Sequence, residues 1–192
     1  MNVCVFCSSA HGLAAPYRTA AERLGELIGR RGHTLVFGGY DDGLMGTVAH
    51  AARDAGARVA GVLPCRDGEL PGREAFPCDE LVEATGLADR KARMERLSDA
   101  FVALPGSYGT LDELYDVLAA EKLGGGDAAN PRPVALLDVD GFFAPLVELH
   151  RRMVDDGFMG AGTARLCPAF DDAEALMAHL EDVFGGNGAA RA

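Results

Sequence analysis

Residues 3–63 read VCVFCSSAHGLAAPYRTAAERLGELIGRRGHTLVFGGYDDGLMGTVAHAARDAGARVAGVL, and this stretch decides the fold. Val3 to Phe6 is a short apolar run that stops at Cys7-Ser8-Ser9. From Ala15 to Arg31 the period becomes helical: Ala20, Leu24, Leu27 and Ile28 share a face, and Gly32 caps the end. Thr34 to Phe37 is the next strand, ending in Gly38-Gly39. A helix over about Leu44 to Ala55 and a third strand over Val59 to Leu63 follow. Strand, helix, strand, helix, strand with short links is the pattern of a parallel sheet wrapped by helices.

The remainder extends the same plan. Pro64 to Asp79 holds three prolines and two glycines and reads as a loop or flap. Glu80 to Ala84 is a short strand, Ala88 to Leu97 an arginine-rich helix, and Ala100 to Leu104 a strongly apolar strand. Thr110 to Leu123 is helical with Leu111, Leu114, Val117 and Leu118 facing inward. After a loop at Gly124 to Pro133 come a strand at Val134 to Leu137 and helices at Phe142 to Asp155 and Ala173 to Phe184. The expectation is a single α/β domain, Rossmann-like, over residues 1–184, with Gly185 to Ala192 as a disordered tail.

Composition narrows the function. A formal charge of −11 speaks against broad nucleic-acid or anionic-membrane binding, which needs a basic face. It leaves room for a small phosphorylated ligand gripped by a few arginines. The N-terminus lacks the basic and long apolar regions of a signal peptide, and no run approaches the ~20 apolar residues of a membrane span, so a cytoplasmic chain is expected. Five cysteines, an odd number, argue against a closed disulfide framework. Cys4-x-x-Cys7 has no second pair to complete a zinc site and reads as buried or strand-end thiols. No metal or organic cofactor is expected. His11, His33, His50, His150 and His179 lack ligand spacing.

In such sheets ligands bind beyond the carboxyl ends of the strands. Three of those ends are unusual here: Cys7-Ser8-Ser9, Gly38-Gly39-Tyr40 and Pro105-Gly106-Ser107-Tyr108-Gly109-Thr110. Glycines in the last let the backbone turn tightly and present bare N–H groups at a helix start, a phosphate cradle to which Thr110 can add a hydroxyl. Ser9, Gly38, Gly39 and Gly43 point to the same crevice. Met45, in that second glycine-rich stretch, reads by itself as core packing. Neither loop has the dinucleotide or P-loop pattern. Asp112 and Glu113 lie in the first turn of the following helix, where its dipole favours carboxylates. There a carboxylate can also stabilise oxocarbenium character or activate water beside a ribose. Arg90 and Lys91 stand at the crevice-facing end of their helix, where a guanidinium can grip phosphate or assist a departing base. Arg93 and Arg96 read as a solvated face.

Arg90-Lys91-x-x-Met94, Pro105-Gly106-x-x-Gly109-Thr110-x-x-Glu113 and Gly43-Leu44-Met45-Gly46 together resemble the LOG ("lonely guy") family of cytokinin riboside 5′-monophosphate phosphoribohydrolases, many of whose members carry a lysine decarboxylase label. The resemblance runs from about Val3 to Met159. It implies a Rossmann-like homodimer that hydrolyses a purine nucleotide to free base and ribose 5-phosphate. By the same resemblance Arg90 and Glu113 are catalytic, Lys91 and the Gly106 to Glu113 stretch contact the nucleotide, and Glu69 is a further contact.

The chain also departs from the pattern. Ser107 replaces a glycine, Tyr40 another, Ala88 a histidine, Ala119 a threonine and Lys122 a glutamine. These departures predict the same bond cleavage on a different base, with adenosine and isopentenyladenine monophosphates not the best substrates. A non-catalytic nucleotide-binding protein and a phosphoribosyl or deoxyribosyl transferase are the other readings. Lysine decarboxylation is weak, because Lys91 and Lys122 are the only lysines.

Overall fold

A computed structural model describes residues 1–64, 73–123 and 132–188. Strands β1 (Asn2–Phe6), β2 (Thr34–Phe37), β3 (Arg58–Pro64), β4 (Glu80–Ala84), β5 (Ala100–Ala103), β6 (Val134–Leu137) and β7 (Ala169–Phe170) form one sheet in the order β4-β3-β2-β1-β5-β6-β7. Every pairing is parallel, with Cys4 opposite Val36 on one side and Phe101 on the other. The central strands are apolar along their whole length because helices cover both faces. Val3, Val5 and Cys7 face α1 (Ala15–Arg30), α2 (Gly43–Asp54) and α7 (Ala173–Gly188). Cys4 and Phe6 face α3 (Leu87–Arg96), α4 (Tyr108–Leu123) and α5 (Ala144–Asp155).

The direction of winding reverses between β1 and β5. From β1 the chain builds outward through β2, β3 and β4, then returns to place β5 on the other flank of β1. The loops leaving β1 and β5 therefore diverge to opposite faces and open a crevice between them, the usual ligand position in such sheets.

The parallel α/β plan agrees with the sequence expectation, and most bounds agree within two residues. Two short elements escape the sequence reading: α6 (Ala161–Ala164) and the two-residue β7, both too short to show a period. Helix α7 continues to Gly188, four residues into the stretch read as a tail, and residues 189–192 lie outside the described ones. Among the described residues no helix is long and apolar enough to cross a membrane. Cys4, Cys7 and Cys167 are buried free thiols and Cys78 a half-buried one. Burial pushes Cys78 up to about 11 and Cys4 and Cys7 well above the usual thiol range, so these are poor nucleophiles.

Tyr115 on α4 is engaged within the chain. The Tyr115 hydroxyl lies 2.8 Å from His150 Nε2 on α5. With Ala119, Lys122, Met153 and Met159 the pair lines a separate surface cavity of about 200 Å³. Ala119 and Lys122 therefore line this second cavity and not the crevice.

Candidate active site

Ser8 binds the β1 strand end to the β5 strand end and to the first turn of α2. Its backbone N–H donates to the Pro105 carbonyl at 3.3 Å, and its carbonyl accepts the Leu44 N–H at 2.9 Å. Beneath this clasp lies a cavity of about 130 Å³. Ser8 and Ser9 line it from the β1 loop, Gly38 and Met45 from the β2 side, and Ser107, Gly109 and Thr110 from the β5 loop. Arg90, Glu113, Met94 and Arg73 add to the wall, with Val5 and Cys7 of β1 and its end.

The start of α4 is built to meet an anion. The Ser107 carbonyl accepts the Leu111 N–H at 3.1 Å, so Ser107 occupies the cap position. The amides just after a cap have no partner within their own helix and carry its positive end. Thr110 is 3% exposed and packs its hydroxyl back over Gly106. A Cβ on Gly106 would lie 2.0 Å from Thr110 Oγ1, so any side chain there would push Thr110 aside.

Arg90 crosses the crevice to Glu113 on the second turn of α4. Its Nη1 donates to Glu113 Oε1 at 2.9 Å and its Nε to the Val62 carbonyl at 2.9 Å. Both side chains are nearly buried, at 12% and 13% exposure, which places this pair well outside the class of weak solvated ion pairs. The guanidinium runs against bare backbone: a Cβ on Gly38 would sit 1.7 Å from Arg90 Nη2. Burial holds the Glu113 carboxyl above the ordinary carboxylate range, and Arg90 only partly offsets that. A carboxylate made reluctant to ionise is a stronger base once it has done so.

Of the candidate residues read from the sequence, the structure gathers Ser9, Gly38, Met45, Arg90, Ser107, Gly109, Thr110 and Glu113 around one cavity. Gly106, Gly39 and Gly43 shape the loops without lining it. Tyr108 is 92% exposed. Lys91 and Asp112 are turned to the flank, where Lys91 Nζ is 2.8 Å from Asp112 and 2.6 Å from Asp116. Glu69 lies outside the described residues.

The sequence reading misses Arg73. Residues 73–76 run antiparallel beside the β2 loop: the Asp41 N–H donates to the Glu74 carbonyl at 2.9 Å and the Phe76 N–H to the Gly39 carbonyl at 2.8 Å. That pairing carries Arg73 to the cavity, where its Nε donates to Asp42. The bond from Arg73 holds the Asp42 carboxyl below its usual range, with His11 Nε2 assisting at 3.2 Å from Oδ1. A single arginine at the end of a proline- and glycine-rich stretch of sequence gives no periodic signal to find it by.

The chain is similar to several known proteins. Residues 45–180 match the family model described as "Possible lysine decarboxylase". The chain is 41% identical, over 94% of its own length and 73% of the relative's, to "Cytokinin riboside 5′-monophosphate phosphoribohydrolase LOG" of Oryza sativa subsp. japonica. It is 40% identical to the LOG5 protein of the same printed activity from Arabidopsis thaliana, over 94% of this chain and 77% of that one. Among solved structures, the molybdenum cofactor carrier protein of Chlamydomonas reinhardtii superposes with a TM-score of 0.71. At 22% identity over 96% of this chain and 98% of that one, this likeness speaks for the fold alone. With its model matched across most of the sequence and its LOG members some 40% identical to it, the chain belongs to the "Possible lysine decarboxylase" family.

Proposed function

We propose that this protein hydrolyses the N-glycosidic bond of a nucleoside 5′-monophosphate, releasing free base and ribose 5-phosphate, with Arg90 and Glu113 as its catalytic residues. One observation carries the reading: a nearly buried arginine–glutamate pair stands one helical turn beyond a helix start, within one small cavity. The phosphate occupies the first turn of α4, held by backbone N–H groups and the Ser107 and Thr110 hydroxyls. Both cations of the cavity are already matched, Arg90 by Glu113 and Arg73 by Asp42. Neutral donors therefore do most of the phosphate binding.

From that anchor the anomeric carbon falls beside Glu113. Its carboxylate supports positive charge growing on the sugar and takes the proton of the attacking water. Arg90 has donors only and does not give up its proton. It aims Glu113 and offers hydrogen bonds to the negative charge growing on the departing base. Lysine chemistry has no support in this geometry, since neither Lys91 nor Lys122 lines the cavity. The test is incubation with a panel of nucleoside monophosphates while released base and ribose 5-phosphate are measured. Absence of both products from every nucleotide would overturn the reading.

The raised Glu113 carboxyl gives a pH signature. The reaction needs Glu113 ionised, so kcat/KM rises with pH through its folded value, which lies above the ordinary glutamate value of about 4.3. The acid limb of a pH–rate profile is expected to be centred above that value. A limb at or below it would show that Arg90 outweighs burial.

The protein acts as a homodimer in the cytoplasm on this reading. The four cysteines among the described residues are free thiols, which fits a reducing compartment. A cavity of about 130 Å³ is smaller than most small-molecule sites, so a second surface is needed to cover the base. The exposed Leu87 and Tyr108, on the helices that carry Arg90 and Glu113, offer an apolar contact for a partner copy. Light scattering at micromolar concentration is expected to give the dimer mass, and a monomer mass would remove this part.

A further inference from the structure

Arg73 is the second guanidinium of the cavity, and the chemistry above leaves it without a task. It is held on three sides. Its Nε donates to Asp42, its guanidinium lies 4.3 Å from the centre of the Tyr40 ring, and its Nη2 stands 4.0 Å from Met45 Sδ. Met45 in turn reaches the bare backbone of Gly38, against which Arg90 also lies. One methionine side chain therefore separates the two guanidiniums. The Arg73 side chain is 20% exposed, so it faces the cavity while its position is fixed beforehand.

The parts of a bound nucleotide can be assigned in turn. The α4 start takes the phosphate, and Arg90 with Glu113 takes the reacting bond. Of the remaining lining, Val5, Cys7 and Met94 are apolar, and Ser8 and Ser9 belong to the β1 loop that Ser8 bonds to Pro105 on the phosphate side. The β2 side, with Gly38, Met45 and Arg73, is the wall we give to the base. With Nε committed to Asp42, Arg73 presents its terminal nitrogens, which are donors without any acceptor. Guanine and hypoxanthine place two acceptors, O6 and N7, on one edge, and a guanidinium fork matches them. Adenine puts an N6–H donor beside N7, so donor would face donor and a buried polar group would go unpaired.

We propose that Arg73 reads the base and that the substrate is a 6-oxopurine nucleoside 5′-monophosphate rather than adenylate or an N6-alkylated adenylate. This rests on the hydrolase reading above and adds a substrate class to it.

The experiment measures kcat/KM for IMP, GMP, AMP and N6-isopentenyl-AMP with the wild type, Arg73→Gln and Arg73→Lys, together with inhibition by ribose 5-phosphate. The wild type is expected to favour IMP and GMP over AMP by about tenfold or more. Arg73→Gln, whose amide pairs with N6 and N7 of adenine, erases or reverses that ratio. Arg73→Lys keeps the charge without the fork and lowers IMP and GMP rates while sparing AMP. Ribose 5-phosphate inhibits all three proteins alike, because Arg73 touches base and not phosphate.

A wild type that prefers AMP or its N6-alkyl derivative overturns the proposal without any variant. So does a uniform loss across the nucleotides in folded variants, or weaker ribose 5-phosphate inhibition. A wild type that cleaves none of the four removes the substrate class as well. Base release from other nucleotides would then still uphold the hydrolase reading.

Discussion

Glu113→Gln is expected to lower kcat for the preferred nucleotide by about 10³- to 10⁴-fold, with the fold retained. The replacement keeps the shape of the side chain and still accepts the Arg90 hydrogen bond through its amide oxygen. What disappears is the negative charge and the capacity to take a proton, both of which act in the transition state. Glu113 is not part of either hydrophobic core, so unfolding is not the expected consequence. Arg90→Ala should cost a similar factor for a different reason. It strands Glu113 in a nearly buried position without its partner, and the carboxyl is then harder to ionise. Because the two act as one unit, the double variant should be little slower than either single one. Steady-state base release, with circular dichroism as the check on folding, measures all three. Near-normal turnover in folded Glu113→Gln would remove the catalytic assignment.

The second large effect concerns the phosphate. The nucleoside lacking it should be cleaved with kcat/KM reduced by about 10³-fold or more. The 5′-phosphate lies remote from the breaking bond, and its binding at the α4 start is what sets the anomeric carbon beside Glu113. Without it the sugar is free to sit in many orientations, and the orienting part of the barrier returns. The free nucleoside should bind weakly and also react slowly when bound, which saturation kinetics separates. Equal kcat/KM for nucleoside and nucleotide would show that the Ser107 to Thr110 turn does not position substrate.

The fold was legible because its strands are covered on both faces, which writes them as unbroken apolar runs such as Val134 to Leu137. The helices between them keep a one-sided pattern. The two-residue β7 and four-residue α6 are shorter than any period, and they exist because tertiary neighbours hold them. In the site, the residues that came through were those at strand ends, where a glycine-rich turn interrupts an apolar run. The Arg90–Glu113 pair was named through family resemblance, and the structure adds that the two side chains meet. Arg73 stayed hidden because its placement depends on the 73–76 segment pairing with the β2 loop, a contact more than thirty residues distant in sequence. Arg90 turns into the crevice, while its neighbour Lys91 is paired with two aspartates that sequence spacing alone does not single out.

The Ser8 clasp has a consequence for how a ligand arrives. One residue's amide and carbonyl bind the β5 loop and the first turn of α2 to the β1 loop, so the β1 loop cannot part from either without breaking a main-chain hydrogen bond. The phosphate end of the crevice therefore has its working shape before anything enters it. Occupying it orders little backbone, and the free energy of capture is not spent on assembling the receptor. On the proposed function the product leaves a receptor whose backbone keeps its shape, and the hydrogen bonds to its phosphate are what it has to break at that end.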